Sequence, residues 1–98
     1  MNTEEELDIE IDPEVAHGVY SNFIVIANTI SDFVIDFISI MPGIPKPKVQ
    51  SRVVLTPDNA KRMLISLQEN INNYEEENGE IILEKDNGSE IMISGGRA

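Results

Sequence analysis

The stretch that decides the fold is VYSNFIVIANTISDFVIDFISI, residues 19–40, the most apolar part of the chain. It fails as a membrane span, because Asp32 and Asp36 fall inside it and each would cost about 2.5–3.5 kcal/mol near a bilayer centre. Two alternatives remain, an amphipathic helix and a pair of strands. The choice between them fixes the architecture of the molecule.

The spacing of the apolar residues fits a helix, whereas the composition favours strands. Steps of three and four separate one set of apolar residues, as an amphipathic helix requires: Val19, Phe23, Ile26, Ile30, Phe33, Phe37 and Met41. Most residues of the stretch are, however, β-branched or aromatic, and such side chains lose freedom in a helix but suit a pleated surface. Polar side chains that can close a turn cluster midway, namely Asn28, Thr29, Ser31 and Asp32. We therefore predict a β-hairpin with strands at residues 19–27 and 33–40.

Segments on both sides of the hairpin extend the predicted sheet. Leu7, Ile9 and Ile11 alternate with acidic residues, which is the period-two pattern of a half-exposed strand. Residues 41–48, MPGIPKPK, hold three prolines and one glycine and are predicted to form a loop. Residues 49–55, VQSRVVL, are predicted to form a further strand.

The segment after these strands predicts one long helix over residues 57–77. Thr56 suits the N-cap, Pro57 the first helical position and Gly79 a stop. One apolar stripe runs along this helix and consists of Ala60, Met63, Leu64, Leu67, Ile71 and Tyr74. We expect the stripe to pack on the protein's own sheet.

The predicted fold class is α+β. It comprises a small antiparallel sheet of about four strands, with a β-hairpin near the N-terminal half, covered by one long helix. Asn87-Gly88 between two apolar runs adds a predicted C-terminal β-hairpin. We expect an acidic disordered N-terminus, a single α+β domain, a hairpin extension and a loose tail, at residues 1–6, 7–81, 82–94 and 95–98.

The charge of the chain is unevenly distributed. The formal net charge is −11, which repels nucleic acid phosphates, so we expect no direct nucleic acid partner. Five of the seven basic residues fall in the middle of the chain: Lys46, Lys48, Arg52, Lys61 and Arg62. A basic patch on an acidic protein can dock an acidic surface, and these five are our candidate partner-binding residues. The alternative is that they balance the protein's own carboxylates, since charge runs are usually solvated faces.

The small size of the chain favours self-association. Its 98 residues make one domain, and a domain of this size buries about 60–65% of its unfolded surface. The chain has no cysteine, so no disulfide or thiolate-bound metal strengthens it. We therefore expect a homo-oligomer, in the simplest case a dimer. The absence of cysteine and an acidic N-terminus, unlike a signal peptide, predict a cytoplasmic protein that does not engage membranes.

The sequence offers no catalytic constellation. With one histidine and no cysteine, neither a Ser-His-Asp triad nor a Cys-His pair has local support, and His17 is expected at the surface. Asp8, Glu10 and Asp12 imitate the first ligands of a calcium loop, but Pro13 stands where the turn glycine belongs. No glycine-rich phosphate loop occurs. We expect a protein that is not an enzyme and that carries no cofactor or metal.

Five motifs together resemble a known family. They are YSN (20–22), DFVIDF (32–37), PG (42–43), RVVLTPDNAKRML (52–64) and LQENINNYE (67–75). On these motifs the chain resembles, over residues 7–81, the bacterial family named domain of unknown function 3467. It departs from the pattern at Ile30, where relatives often carry proline. The resemblance implies a fold pattern and no established activity or catalytic residue. Some members are encoded near the RNA polymerase β′ subunit, so it also implies the transcription machinery as a partner.

Two functional hypotheses from different classes follow. The first is a non-enzymatic protein–protein interaction module that docks on a larger assembly; a regulatory dimer with a single protein partner is a variant of it. The second is a chaperone, because the order of strands and long helix looks like the export chaperone SecB. A chaperone should expose apolar grooves when folded. We expect the apolar hairpin residues to form the core instead, namely Ile24, Ile26, Phe33 and Phe37.

Overall fold

A computed structural model describes residues 7–84. Its elements, in chain order, are α1 (Pro13–Ala16), β1 (Phe23–Asn28), β2 (Phe33–Ser39), β3 (Lys48–Leu55) and α2 (Pro57–Asn78). The three strands form one antiparallel sheet in the order β1-β2-β3. The fold is therefore α+β, a three-stranded antiparallel sheet followed by a long helix, which confirms the predicted class.

The β1–β2 hairpin confirms the strand interpretation of the apolar stretch. Phe23 of β1 lies opposite Ile38 of β2, and the register continues without a shift to the turn. In the turn, Thr29 Oγ1 accepts hydrogen bonds from the backbone N–H groups of Ser31 and Asp32, at 3.1 and 3.2 Å. The Thr29 N–H group donates to the Asp32 carbonyl oxygen at 2.9 Å. The polar cluster thus closes the turn as predicted, while β1 begins four residues later than predicted.

A bulge marks the far end of the sheet. Phe37 of β2 lies opposite Ser51, but the next residue, Ile38, lies opposite Val49. Gln50 is therefore the extra residue of β3, and such a bulge bends the strand and increases its twist. The bend lies beside the proline-containing segment that leads into β3.

The predicted N-terminal strand is wrong. Residues 7–12 pair with no strand of the described part of the chain, and Leu7, Ile9 and Ile11 are 54%, 78% and 65% exposed. Alternation gives a strand one apolar and one polar face, but a strand also needs a hydrogen-bonded neighbour in a sheet. The three closely spaced carboxylates of this segment disfavour pairing with another strand. The chain instead turns into α1, a short helix with Pro13 at its first position that the sequence did not predict. The described sheet accordingly has three strands and not about four.

The ends of the chain leave other predictions open. Residues 82–84 of the predicted C-terminal hairpin are not in a strand, and the rest of that hairpin lies outside the described residues. The predicted disordered N-terminus and loose tail also lie outside them. None of the helices within residues 7–84 is long and apolar enough to cross a membrane.

Helix α2 begins and ends close to the predicted positions. Pro57 occupies its first turn, and Gly79 follows its last residue with φ of 92°, a conformation that favours glycine. The Gly79 N–H group donates to the Glu75 carbonyl oxygen at 2.9 Å. Thr56 sits at the N-cap but makes no side-chain capping bond; its hydroxyl accepts a hydrogen bond from Asn59 Nδ2 at 3.0 Å.

The core of the described residues is very small. Ile35, in the central strand, is 3% exposed and is their only buried residue. The pairing register places apolar side chains on both faces of the sheet: those of Ile26 and Phe33 flank Ile35 on the face toward α2, and those of Val25 and Val34 lie on the other. A three-stranded sheet with one helix cannot cover both faces, so much apolar surface stays accessible.

The stripe of α2 packs on the sheet only in part, contrary to the expectation. Leu64, Leu67 and Tyr74 are 61%, 53% and 53% exposed, and no residue of α2 is buried. The helix touches the sheet mainly at β3, from which it directly continues. Its length follows from the helical pattern, but the pattern does not determine how closely the helix lies on the sheet.

Candidate functional site

Two side chains fasten the open end of the hairpin. Asn22 Nδ2 donates to the Ile40 carbonyl oxygen at 3.0 Å, and the Ile40 N–H group donates to Asn22 Oδ1 at 2.8 Å, so the amide imitates a strand pair. The Ser21 hydroxyl shares its one proton between the carbonyl oxygens of Phe23 and Ile38, at Oγ–O distances of 3.1 and 3.0 Å. Two residues of the YSN motif are therefore structural. The third, Tyr20, is 72% exposed and is free to serve as a contact surface.

A first groove lies beside this fastened end. Its volume is about 430 Å³, and we call it the lysine groove; it is lined by Gly18, Val19, Tyr20, Ser39, Met41, Ile44, Lys46, Lys48 and Gln50. Three parts of the chain form it: the segment before β1, the end of β2, and the proline-containing segment with the start of β3. The hairpin register and the Gln50 bulge bring these parts together. Its lining combines one aromatic ring, two ammonium groups and several apolar side chains.

One residue of this lining, Ser39, has an unsatisfied polar atom. Ser39 Oγ is buried and has no hydrogen-bond partner among the described residues. A buried hydroxyl without a partner costs about 1–3 kcal/mol. Because this oxygen has almost no solvent-accessible surface, a ligand in the groove does not reach it, and the ammonium groups of Lys46 and Lys48 are the charged groups that the lining offers.

The five predicted partner-binding residues do not form one patch. Lys46 and Lys48 line the lysine groove. Arg52 lies opposite Asp36, on the sheet face away from α2, and binds it through two hydrogen bonds of 2.6 and 2.9 Å. Lys61 and Arg62 lie on α2. The basic span of the sequence is thus divided among three parts of the surface.

Both arginines are engaged by the protein's own carboxylates. The hydrogen bond from Arg52 lowers the pKa of Asp36 below its usual value, and the positive charge acts in the same direction. Arg62 donates to Asp58 at 2.8 Å one helical turn away, and the Thr56 side chain and Arg62 together lower the pKa of Asp58. For these two residues the charge-balancing alternative describes the structure. Lys46, Lys48 and Lys61 form no ion pair among the described residues.

A second groove opens between α2 and the sheet. Its volume is about 510 Å³, and we call it the apolar groove; it is lined by Ile26, Phe33, Ile35, Pro57, Ala60, Lys61, Met63, Leu64 and Leu67. Lys61 is the one charged residue of this lining. Ile24 and Ile26 are 40% and 44% exposed, so the expectation that the hairpin residues form a closed core is wrong for them. The cause is the partial contact between α2 and the sheet.

Sequence reasoning missed most of the groove residues. Tyr20, Ser39 and Ile44 carry no charge pattern, and they become neighbours only through the hairpin register. The proline-containing loop was the sequence feature that could have indicated this groove. It leads from the end of β2 back to β3 and must therefore pass beside the end of the sheet. No group of three His, Cys, Asp or Glu within residues 7–84 could hold a metal ion. His17 is exposed at the end of α1, as expected.

These features define a class, a small α+β domain with two open grooves. The family model described as "Protein of unknown function (DUF3467)" matches residues 1–83, so the chain belongs to that family. The resemblance carried by the five sequence motifs is thereby confirmed. The chain has no significant match among curated proteins or among solved structures.

Proposed function

We propose that the protein is a non-enzymatic protein–protein interaction module that docks an acidic segment of a partner protein in the lysine groove. The observation that carries the proposal is the groove itself. It holds an exposed tyrosine and two lysines that form no ion pair among the described residues, within about 430 Å³. Aromatic anchors beside apolar and charged groups are common in protein interfaces.

The charge of the groove argues for an acidic partner segment. The chain as a whole carries a net charge of −11 and repels acidic macromolecules at long range. Lys46 and Lys48 form a local exception, so they favour a short acidic segment over a large polyanion such as nucleic acid. Such an interaction weakens as salt rises, because exposed charges are screened within about 10 Å at 0.1 M ionic strength.

We further propose bacterial RNA polymerase as the assembly on which the module docks, as an accessory factor. Support comes from the family resemblance, which implies the transcription machinery as a partner. The lysine groove supplies a physical means of contact with an acidic segment of a large complex. The proposal needs no catalytic residue and no cofactor.

The test is a pair of charge-matched variants. Lys46→Glu/Lys48→Glu reverses the groove, whereas Lys85→Glu/Arg97→Glu changes the net charge equally at positions outside the described residues. Arg52 is left unchanged, because a glutamate there would face Asp36 and destabilise the sheet. We expect the groove variant to lose capture of the partner while both variants keep the circular dichroism spectrum of the wild type.

Two measurements complete this test. Tagged protein is used to capture partners from extract of its own cells at low and moderate salt, with identification by mass spectrometry. Purified RNA polymerase core enzyme is then titrated with each variant. Equal binding by the two folded variants would exclude the lysine groove as the docking surface. A dominant partner other than polymerase would support the proposed interaction module but contradict the proposal that it docks on RNA polymerase.

A second candidate function, a chaperone similar to SecB, is favoured by the apolar groove. Ile26, Met63 and Leu64 are 44%, 42% and 61% exposed in it, as binding of unfolded segments would require. The test is suppression of aggregation of several unrelated unfolded proteins by substoichiometric amounts of the chain. No suppression at an equimolar ratio would reject this function.

A further inference from the structure

Helix α2 presents an apolar surface that is continuous with the apolar groove. Leu64 and Leu67 belong both to the stripe and to the groove lining, and they are 61% and 53% exposed. The groove lining contains no acidic residue, although the chain carries a net charge of −11. Two copies of this acidic chain would therefore repel one another least where these surfaces meet.

The surface needs a cover whenever the chain is folded. Ordering one residue costs about 1–2 kcal/mol of backbone entropy, whereas burying one isoleucine side chain contributes about 1.5–3 kcal/mol. Ile35 is the only buried residue of the described part of the chain, and the 22 residues of α2 include none. A transient client cannot provide a permanent cover, but another copy of the same chain is always present in equal amount.

We propose that a second copy of this chain covers the apolar groove, with the two α2 helices antiparallel about a twofold axis at Leu67. Around that axis the stripe is self-complementary. Leu67 meets Leu67 of the second copy, Met63 lies near Ile71, and small Ala60 lies opposite large Tyr74. Alternation of small and large side chains across facing helices is what close packing requires.

The charges that flank the stripe fit the same arrangement. Lys61 and Glu75 are 14 positions apart, close to four helical turns, so they lie on the same side of the stripe. In an antiparallel pair, Lys61 of one copy lies beside Glu75 of the other, twice per dimer. The last turn of α2 contains no basic residue, and acidic groups there oppose the helix dipole. Lys61 of the second copy supplies the missing positive charge.

The available area suits a stable dimer. A helix of 22 residues is about 33 Å long, and the helix with its three neighbouring strands is about 20 Å wide. The footprint is thus on the order of 650 Å² per copy before surface roughness is counted, close to the roughly 800 Å² of a standard interface. The lysine groove shares no residue with this surface. The proposed dimer and the proposed docking function can therefore be tested independently, and failure of one does not contradict the other.

The first experiment compares two variants with matched exposure. Leu67 and Ile65 are 53% and 52% exposed in the single chain, but Ile65 lies on the other side of α2. Sedimentation equilibrium should show a dimer for the wild type and for Ile65→Glu. Leu67→Glu brings two carboxylates to the axis and should weaken the dimer on the order of 100-fold. A monomeric wild type, or equal weakening by both variants, would overturn the proposal.

The second experiment does not depend on how Leu67→Glu folds. Lys61→Glu and Glu75→Lys should each weaken the homodimer about tenfold, since each creates two like-charge pairs. Mixing the two variants restores both opposite-charge pairs, so native mass spectrometry should show a heterodimer well above the statistical half. A statistical mixture would overturn the antiparallel arrangement. If the wild type is a folded monomer and binds a reduced, carboxymethylated protein, which stays unfolded, the apolar groove binds unfolded clients and not a second copy.

Discussion

The β1–β2 hairpin and helix α2 are stabilised in different ways. The hairpin is closed at its turn by Thr29 and at its open end by Ser21 and Asn22, all through hydrogen bonds within residues 21–40. It also contributes the buried Ile35. α2 is the longest element, yet none of its residues is buried. The hairpin is thus held by contacts among its own residues, whereas α2 leaves most of its apolar stripe exposed, and this is the surface that the proposed dimer would cover.

The largest expected effect concerns the centre of the sheet. Ile35→Ala truncates the one buried side chain of the described residues and should lower the free energy of unfolding by about 2–5 kcal/mol. Urea unfolding followed by circular dichroism measures this change. Ile30→Ala is the control, because Ile30 is 96% exposed at the turn and its truncation should change stability by about 0.5 kcal/mol or less. Similar effects of the two variants would mean that Ile35 is not the centre of the core.

The next effect distinguishes the two sides of α2. Leu67→Ala should lower the free energy of unfolding by about 2 kcal/mol if a second copy covers the stripe, because the side chain is then buried. Ile65→Ala should change it by about 0.5 kcal/mol or less, although both residues are almost equally exposed in the single chain. Urea unfolding at two protein concentrations measures both effects. Equal changes in the free energy of unfolding for the two variants would show that no second copy covers the stripe of α2.

A smaller effect is expected at the fastened end of the hairpin. Asn22→Ala removes the two hydrogen bonds with Ile40 and should lower the free energy of unfolding by about 1 kcal/mol. Asn22→Asp keeps the acceptor for the Ile40 N–H group but loses the donor, so its effect at neutral pH should differ from that of alanine. Amide hydrogen exchange of Ile40 provides a local measurement. Unchanged protection of Ile40 in Asn22→Ala would contradict the strand-like role of the amide.

Local features of the fold could be predicted from the sequence, whereas pairing partners could not. The turn at Thr29 and the stop at Gly79 depend on nearby residues, and both were found where composition placed them. The alternation of Leu7, Ile9 and Ile11 is equally local, but a strand also needs a neighbour in the sheet, which the pattern does not provide.

The candidate site was less accessible from the sequence for a related reason. Lys46 and Lys48 were found by their charge, and the structure places both in one groove. Tyr20 and Ser39 join them only because the hairpin folds back. Arg52 leaves them because the Gln50 bulge shifts the alternation of β3, so Lys48 and Arg52 face opposite sides although they are four positions apart. Neither the register nor the exposure of a groove can be obtained from composition.

The smallest effect is a change in the pH dependence of stability, at the ion pair between Asp36 of β2 and Arg52 of β3. The hydrogen bond from Arg52 lowers the pKa of Asp36 in the folded protein, whereas an unfolded aspartate titrates near about 3.9. A lowered folded pKa means that the pair stabilises the protein above the unfolded pKa, and that this contribution is lost as pH falls through the folded pKa. The difference in melting temperature between wild type and Arg52→Met should therefore be largest near neutral pH and vanish in strong acid. Asp36→Asn is the control. Because asparagine does not titrate, this position should contribute no acid-dependent loss of stability in that variant. A difference that stays constant from neutral to acidic pH would instead assign the role of Arg52 to packing of its alkyl chain across the sheet.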